Sequence, residues 1–174
     1  QVLNNYIHDV GINNGPGTGE IISINLVNAG TGVNIEGNDI KPKRHHPENY
    51  EACINVNGIP GAPVIIHNNS LELDYDISYV PGASSDFIGI DLVNGAQSTI
   101  TENDIEYKKA QPDNFEICIR PQGPGTEASI TGNDFIDGEV GVWVDGDATT
   151  MVTAQYNTID ITTGDFVYGV QNVS

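Results

Sequence analysis

The few basic residues of this chain are the first candidates for chemistry. The sequence has six Lys and Arg against 24 Asp and Glu in 174 residues. The basic residues are Lys41, Lys43, Arg44, Lys108, Lys109 and Arg120. A fixed cation can neutralise the carboxylate of a uronate sugar, and a neighbouring base can then abstract the adjacent proton. Arg120, Asp91 and Lys108 are therefore the candidate catalytic residues for such an elimination.

The remaining bases, with the histidines beside them, suit recognition of an acidic glycan. Fixed cations favour the approach of carboxylated or sulfated sugars to an acidic protein. A strand amide can hydrogen-bond hydroxyls, and a tryptophan can stack on a sugar ring. The candidate substrate-binding residues are Lys41, Lys43, Arg44, His45, His46, Lys109, Asn55 and Trp143. The alternative is that the bases pair with nearby aspartates and hold long loops in place, with Asp91 and Arg120 as a structural ion pair.

Paired acids are candidates for two other chemistries. A hydrolase needs two facing carboxylates, and the acids available for this are Asp74, Asp76, Asp86 and Asp91. Calcium prefers carboxylate oxygens, which neighbouring repeats supply. The candidate calcium ligands are Asp104, Asp134, Asp145 and Asp147. The sequence contains no complete EF-hand loop, so a calcium cofactor and an enzymatic activity both stay open.

A repeated asparagine pattern indicates what positions these residues. An apolar residue, two variable residues, an asparagine, one further residue and a second apolar residue recur six times. The repeated asparagines are Asn5, Asn38, Asn69, Asn103, Asn133 and Asn157, in steps of 33, 31, 34, 30 and 24 residues. A period in this range is typical of stacked repeats. Asparagine tolerates a left-handed bend and can hydrogen-bond along a stack, so we expect both properties at these positions.

Each repeat also contains short apolar alternations with a period of two. Examples are Ile22/Ile24, Ile88/Ile90 and Val140/Val142 in one set and Val64/Ile66 in another. Such alternation predicts strands with one buried face. About three strands and three bends per repeat, with no helical periodicity, predict an all-β, single-stranded parallel β-helix of about six rungs. We expect residues 1–174 to form one such domain, as a segment or processed product of a longer chain.

The pairing of a G-[IV]-x-[ILV] strand with a downstream I-x-x-N-x-I bend resembles the repeat of right-handed parallel β-helix proteins of the pectin-lyase-like superfamily. The resemblance covers essentially the whole chain. It implies a right-handed coil whose cleft lies on the outer face of the G-[IV]-x-[ILV] strand. The fold hosts polysaccharide lyases, hydrolases, epimerases, tailspikes and adhesins. Cys118-Ile-Arg120-Pro-Gln matches only part of the R-x-P-x-x-R pattern of pectate lyases.

This resemblance leads to two expected functions. The first is an extracellular polysaccharide-binding or polysaccharide-processing module, with a lyase-, epimerase- or hydrolase-like cleft for an acidic glycan. The alternative is a non-catalytic structural module of a spike, adhesin, surface layer or filament. Open ends of the coil would allow self-association. A secreted or cell-surface location suits the acidic, lysine-poor composition.

Aligning the repeats predicts which residues share a column. A column of small residues between two aliphatic columns is expected on the outer face of its strand. Its members are Ser23, Cys53, Gly89, Cys118, Gly141 and Gly169. Cys53 and Cys118 would lie two rungs apart, about 10 Å, which is too far for a disulfide, so free thiols are expected. Insertions over 41–51, 72–87 and 107–116 enter at one point of the repeat and predict one wall that carries the basic residues.

Charge and hydrophobicity exclude two partner classes. The formal net charge of -18 argues against nucleic acid, because binding to phosphates needs clustered Lys and Arg. No apolar run approaches the length of a membrane span.

Overall fold

Three parallel β-sheets wind around a common apolar core. The computed structural model describes residues 1–8, 21–29, 32–44, 51–58, 63–75, 86–108, 116–162 and 168–173. The described residues form strands, turns and bends, and none of them is helical. The chain passes through sheets A, B and C in turn, and every strand pairs in parallel with strands of neighbouring repeats. The predicted all-β parallel β-helix is confirmed.

Each sheet contains six stacked strands. Sheet A is β1 (Val2–Leu3), β4 (Asn34–Glu36), β8 (Val64–His67), β11 (Gln97–Thr101), β14 (Glu127–Thr131) and β17 (Met151–Gln155). Sheet B is β2 (Tyr6–His8), β5 (Asp39–Lys41), β9 (Ser70–Tyr75), β12 (Asp104–Tyr107), β15 (Asp134–Ile136) and β18 (Thr158–Asp160), with β6 (Lys43–Arg44) beside β9. Sheet C is β3 (Ile21–Val27), β7 (Glu51–Asn57), β10 (Phe87–Val93), β13 (Glu116–Gln122), β16 (Val140–Val144) and β19 (Tyr168–Asn172). In each sheet four strands have neighbours on both sides, so the enclosed coil has about four turns, slightly fewer than the six rungs predicted.

The core consists of aliphatic columns contributed by all three sheets. Sheet A contributes Ile35, Ile66, Ile100 and Ile130, sheet B contributes Ile40, Leu71, Ile105 and Phe135, and sheet C contributes Ile54, Ile90, Ile119 and Val142. All of these side chains are buried. The strand pairs place equivalent residues of successive repeats side by side, as the sequence alignment predicts. Because each repeat buries its apolar face on its neighbours, stability depends on stacking.

The six repeated asparagines form one continuous hydrogen-bonded ladder inside the coil. The side-chain amide of each donates to the Oδ1 of the next, at 2.9 to 3.0 Å, from Asn5 to Asn157. The same Oδ1 atoms accept the backbone N–H of the preceding asparagine at 3.0 Å. In the central turns the ladder is buried, with Asn103 and Asn133 wholly excluded from solvent. The predicted stacking of the asparagine side chains is confirmed.

The left-handed bend lies one residue before each asparagine of the ladder, so the prediction that the asparagine itself adopts it is wrong. Positive φ angles occur at Asn4, Gly37, Asn68, Glu102, Gly132 and Tyr156. This bend turns the following asparagine side chain inward, where its amide can reach both a backbone carbonyl and the next rung. Every polar atom of a buried asparagine needs a hydrogen-bond partner. The left-handed turn before it orients the side chain so that these partners are within reach.

The column of small residues faces the core, so its predicted outward orientation is also wrong. Cys53 and Cys118 belong to the core and are fully buried. A Cβ atom on Gly89 would lie 2.6 Å from the carbonyl oxygen of Cys118 and 2.7 Å from Cγ2 of Ile105. These residues are small because sheets B and C approach closely at this corner of the coil. Both cysteines are free, as predicted.

The aliphatic column that precedes the small-residue column along each strand faces away from the core. Adjacent residues of a strand point to opposite faces, so Ile88 points away from the core that Gly89 faces. Its column forms a second buried apolar cluster of Ala52, Ile88, Ile117 and Val140 on the outer side of sheet C. The alternation is interrupted at Cys118 and Ile119, which both lie in the main core. Sheet C is therefore apolar on both sides along part of its length.

Burial of Cys118 predicts a pH-dependent stability. Desolvation, with the carboxylate of Glu116 as a second cause, raises the pKa of the Cys118 thiol well above its ordinary value. The native thiol therefore stays protonated while the unfolded thiol ionises above a pH of about 8.5. Below that pH this thiol adds no pH dependence to the free energy of unfolding. Above it, we expect the thiol to lower the free energy of unfolding by up to about 1.4 kcal/mol per pH unit.

Urea unfolding between pH 7 and pH 10 measures this effect. The variant Cys118→Ala removes the thiol and is the comparison, because other titrating groups contribute equally to both proteins. We expect the pH slope of the variant to be shallower above pH 8.5. Equal slopes in the two proteins would contradict the assignment.

Candidate functional site

The outer face of sheet C carries a continuous polar column. Asn25, Asn55, Asp91 and Arg120 occupy equivalent positions on four successive strands. Asn55 donates from Nδ2 to Oδ1 of Asn25 at 2.8 Å. These side chains point outward because the residues on either side of them, such as Ile90 and Leu92, belong to the core.

Arg120 is held by two carboxylates at one end of this column. Its Nε and Nη2 donate to the two oxygens of Asp91 at 3.2 and 3.0 Å, and its Nη1 donates to Asp86 at 2.7 Å. The side-chain amide of Gln122 also donates from Nε2 to both oxygens of Asp91, at 3.0 Å. Asp91 is fully buried, and the side chain of Arg120 is only 13% exposed. A fork of donors on a buried carboxylate is a strong arrangement, because every lone pair finds a charge-assisted partner.

A groove runs along the same face beside the ion pair. It has a volume of about 240 Å³ and is lined by Ile22, Asn25, Val27, Asn55, Asn57, Asp91, Val93 and Gln122. The amides offer donors and acceptors, and the two valines offer apolar surface between them. The groove crosses four strands, which corresponds to about 14 Å at the spacing of strands in a sheet. A polar, shallow and elongated surface of this kind fits an extended hydroxyl-rich ligand better than a compact apolar one.

Trp143 lies on the same sheet, one strand beyond Arg120. It follows Val142, which pairs with Ile119, and so extends the outward column. Its ring packs against the second apolar cluster and is partly buried. Packing on one side fixes the orientation of the ring, which is a condition for stacking on a sugar. Its role in binding stays a prediction.

Two of the predicted basic residues meet on sheet B instead. Nζ of Lys41 lies 3.4 Å from Glu72, and Nζ of Lys108 lies 3.7 Å from the same oxygen. Lys108 also donates to Glu106 at 2.6 Å. The carboxylate of Glu72 raises the pKa of Lys41, and the hydrogen bond to Glu106 raises that of Lys108. Two of the bases thus lie together on sheet B, around acidic partners.

The candidate catalytic residues therefore occupy two places. Asp91 and Arg120 form one cluster on sheet C, whereas Lys108 follows β12 of sheet B. Lys43 and Arg44 form β6, whose backbone pairs with Asp74 and Tyr75. His45, His46 and Lys109 lie outside the described residues, as does most of the predicted wall. Their roles in binding stay predictions.

The candidate calcium ligands also lie in two places. Asp104 and Asp134 are neighbours in the register of sheet B, and desolvation, followed by the charge of Asp134, raises the pKa of Asp104. Asp145 bridges to Gln122 in sheet C, and the carboxylate of Asp147 accepts from Thr149, which lowers its pKa. Within the described ranges, no group of three or more His, Cys, Asp or Glu is placed to hold a metal ion. Calcium binding stays a prediction.

Three polar residues of the groove, Asn25, Asn57 and Gln122, were not among the candidate site residues selected from the sequence. Gln122 follows Arg120 by two positions on one strand, and Asn57 follows Asn55 in the same way. A period of two places both on the outer face, so the signal was present in the strand pattern. Asp86 was selected only as an acid for hydrolysis, whereas in the structure it is a partner of Arg120.

The three sheets and the asparagine ladder define a parallel β-helix protein. The sequence matches no family model, no curated protein and no solved structure. The fold class therefore follows from the strand topology, and membership of the pectin-lyase-like superfamily remains a resemblance. Across the part of the chain that the structure describes, no helix has the length and apolar character needed to cross a membrane.

Proposed function

We propose that this protein is an extracellular polysaccharide-binding module, and that its glycan lies in the groove on the outer face of sheet C. The observation that carries the proposal is the lining of that groove, in which three asparagines and Gln122 alternate with aliphatic side chains. Amides both donate and accept, so they match sugar hydroxyls, which do the same. The valines suit the apolar faces of a sugar ring.

The groove favours a neutral glycan over an acidic one. Its one charged group is the carboxylate of Asp91, and the whole protein carries a formal charge of -18. A uronate or sulfate chain would be repelled by this field, whereas hydroxyl groups would not. The guanidinium of Arg120 is already paired with Asp86 and Asp91. The proposed ligand is therefore a hydroxyl-rich, uncharged chain, and not the acidic glycan expected from the sequence.

The geometry supports binding more strongly than catalysis. A lyase needs a cation that is directed at the substrate carboxylate. The three guanidinium nitrogens of Arg120 all donate to protein carboxylates, and Lys108 lies on another sheet. The lyase, epimerase and hydrolase activities stay predictions that an assay for unsaturated or shortened products would test.

Binding to a panel of neutral and anionic polysaccharides tests the proposal. Trp143 is the only tryptophan of the chain, so its fluorescence, together with calorimetry, reports ligand binding to sheet C. We expect a neutral glycan to bind and the double variant Asn25→Ala/Asn57→Ala to weaken its binding about thirtyfold, because two net hydrogen bonds of about 1 kcal/mol each would be lost.

The control removes hydroxyls from a different outer face. Thr99 and Ser129 line a groove of about 340 Å³ on sheet A. The variant Thr99→Ala/Ser129→Ala is therefore expected to bind as tightly as the wild type. An equal loss in both variants, or binding of anionic glycans alone, would overturn the assignment of the groove.

A second candidate function is a structural module of a larger assembly. This alternative, in which the coil serves a spike, adhesin, surface layer or filament, stays a prediction.

A further inference from the structure

A second outward column on sheet C alternates between aliphatic and amide side chains. It lies two residues further along each strand than the polar column, and all its members line the groove. The strand register aligns these members on four successive strands as Val27, Asn57, Val93 and Gln122. Val93 points outward because the residue before it, Leu92, belongs to the core. We call this set the alternating column.

The alternating column repeats after two strands. Neighbouring strands lie about 4.8 Å apart, so like side chains recur about every 9.6 Å along the groove. The two amides, Asn57 and Gln122, are separated by two strand spacings, and Val93 lies between them. A ligand that matches this column must present like groups at every second unit and a different group at the unit between them.

The two amides of the column offer opposite hydrogen-bonding functions. Asn94 donates to Oδ1 of Asn57 at 3.0 Å, whereas Nδ2 of Asn57 has no acceptor among the described residues. Gln122 donates from Nε2 to Asp91, and no residue of the described ranges donates to its Oε1. The groove therefore presents an amide donor at Asn57 and an amide acceptor at Gln122. A hydroxyl group both donates and accepts, so the same hydroxyl can fit both positions if it recurs two units apart.

We propose that the glycan of this groove is a β-1,4-linked chain of neutral sugars that crosses the strands with about one sugar per strand. The inference rests on the proposed glycan-binding function. In a flat β-1,4-linked chain each sugar is turned over relative to the one before it. One edge of the chain therefore alternates between ring hydroxyls and a hydroxymethyl group, and its two-sugar repeat is close to two strand spacings. The ring hydroxyls then meet Asn57 and Gln122, and the methylene of the hydroxymethyl group packs on Val93.

An α-1,4-linked chain of the same sugars fits the column less well. Its sugars turn in one direction and the chain coils, so like hydroxyls do not recur along a straight line after two units. The groove is straight, because its lining residues follow the register of stacked parallel strands. A coiled chain can therefore reach Asn57 or Gln122, but not both with the same hydroxyl.

Calorimetry with glucose tetrasaccharides that differ only in linkage tests the proposal. We expect the β-1,4-linked tetramer, cellotetraose, to bind about tenfold more tightly than the α-1,4-linked tetramer, maltotetraose. Cellobiose is too short to reach both amides, so cellotetraose should also bind about tenfold more tightly than cellobiose. Cellohexaose should gain less than about twofold over cellotetraose, because the groove crosses four strands.

The variant Asn57→Val breaks the alternation at one position. We expect it to weaken the binding of cellotetraose about fivefold, which is the loss of one net hydrogen bond, and to leave the binding of maltotetraose unchanged. Thr131→Val is the matched control, because it places a valine on the outer face of sheet A, away from the groove. The control should bind both tetramers as the wild type does.

The outcomes separate this inference from the function on which it rests. If the two linkages bind equally, or if Asn57→Val weakens both tetramers to the same extent, the ribbon is wrong and the groove is still a glycan site. If no neutral glycan binds, the proposed function fails and the ribbon fails with it.

Discussion

The variant Asn103→Ala is expected to lower the free energy of unfolding by about 4 kcal/mol, because it interrupts the asparagine ladder at its most buried point. Asn103 donates to the carbonyls of Ile66 and Thr101 and to Oδ1 of Asn133, at 2.9 to 3.1 Å. Its own Oδ1 accepts the backbone and side-chain amides of Asn69. Alanine removes these bonds and leaves the backbone N–H of Asn69 without an acceptor inside the core.

Chemical denaturation monitored by circular dichroism measures this loss. The matched control is Asn57→Ala, which removes an asparagine pair on the surface, where Asn94 donates to Asn57 at 3.0 Å. A water molecule can replace that partner, so we expect a change within about 1 kcal/mol. Similar losses in the two variants would show that burial in the ladder does not add to the stability of the coil.

The ladder also shows which part of the fold the sequence could predict. The asparagine spacing identified equivalent residues of successive repeats, and the period-two pattern identified their strands. Both signals are local and repeat along the chain, so they predicted the register of Ile35 with Ile66 and of Ile90 with Ile119. The asparagine bend was misplaced by one residue, because Asn, Gly, Glu and Tyr all occupy the left-handed position and no single residue type marks it.

The direction of the small-residue column could not be predicted in the same way. Serine, cysteine and glycine fit equally well on an outer face and at a crowded inner corner. What decides the orientation is the distance between sheets B and C, where Gly89 meets Ile105. This is a contact between strands of different sheets, and no spacing along the sequence encodes it. The interrupted alternation at Cys118 and Ile119 has the same origin.

The candidate site was predictable to the extent that it lies on strands. Register alone placed Asn55, Asp91 and Arg120 in one outward column. Asp86 precedes β10 and approaches Arg120 only in the folded coil, and Lys41 and Lys108 are brought together by Glu72. Residues beside long insertions make contacts that depend on the path of the inserted segment. The repeat pattern does not specify that path. This explains why the bases were expected to face a ligand, whereas Lys41, Lys108 and Arg120 have acidic partners.

Arg120→Ala is expected to cost about 3 to 5 kcal/mol of stability, because it leaves a buried carboxylate without its cation. Asp91 has no exposed surface, and after the substitution its remaining described side-chain donor is Gln122. Arg120→Lys keeps a charge but cannot reproduce the fork of Nε and Nη2, so we expect an intermediate loss. Urea unfolding at neutral pH measures both changes.

Two comparisons separate this effect from the general loss of a surface charge. Lys108→Ala removes an exposed ion pair with Glu106 and is expected to change stability by about 1 kcal/mol or less. The double variant Asp91→Asn/Arg120→Met removes both buried charges and is expected to regain most of the loss, since the penalty arises from the unpaired carboxylate rather than from the absence of the pair. If the double variant is as unstable as Arg120→Ala, the loss does not arise from the unpaired carboxylate of Asp91.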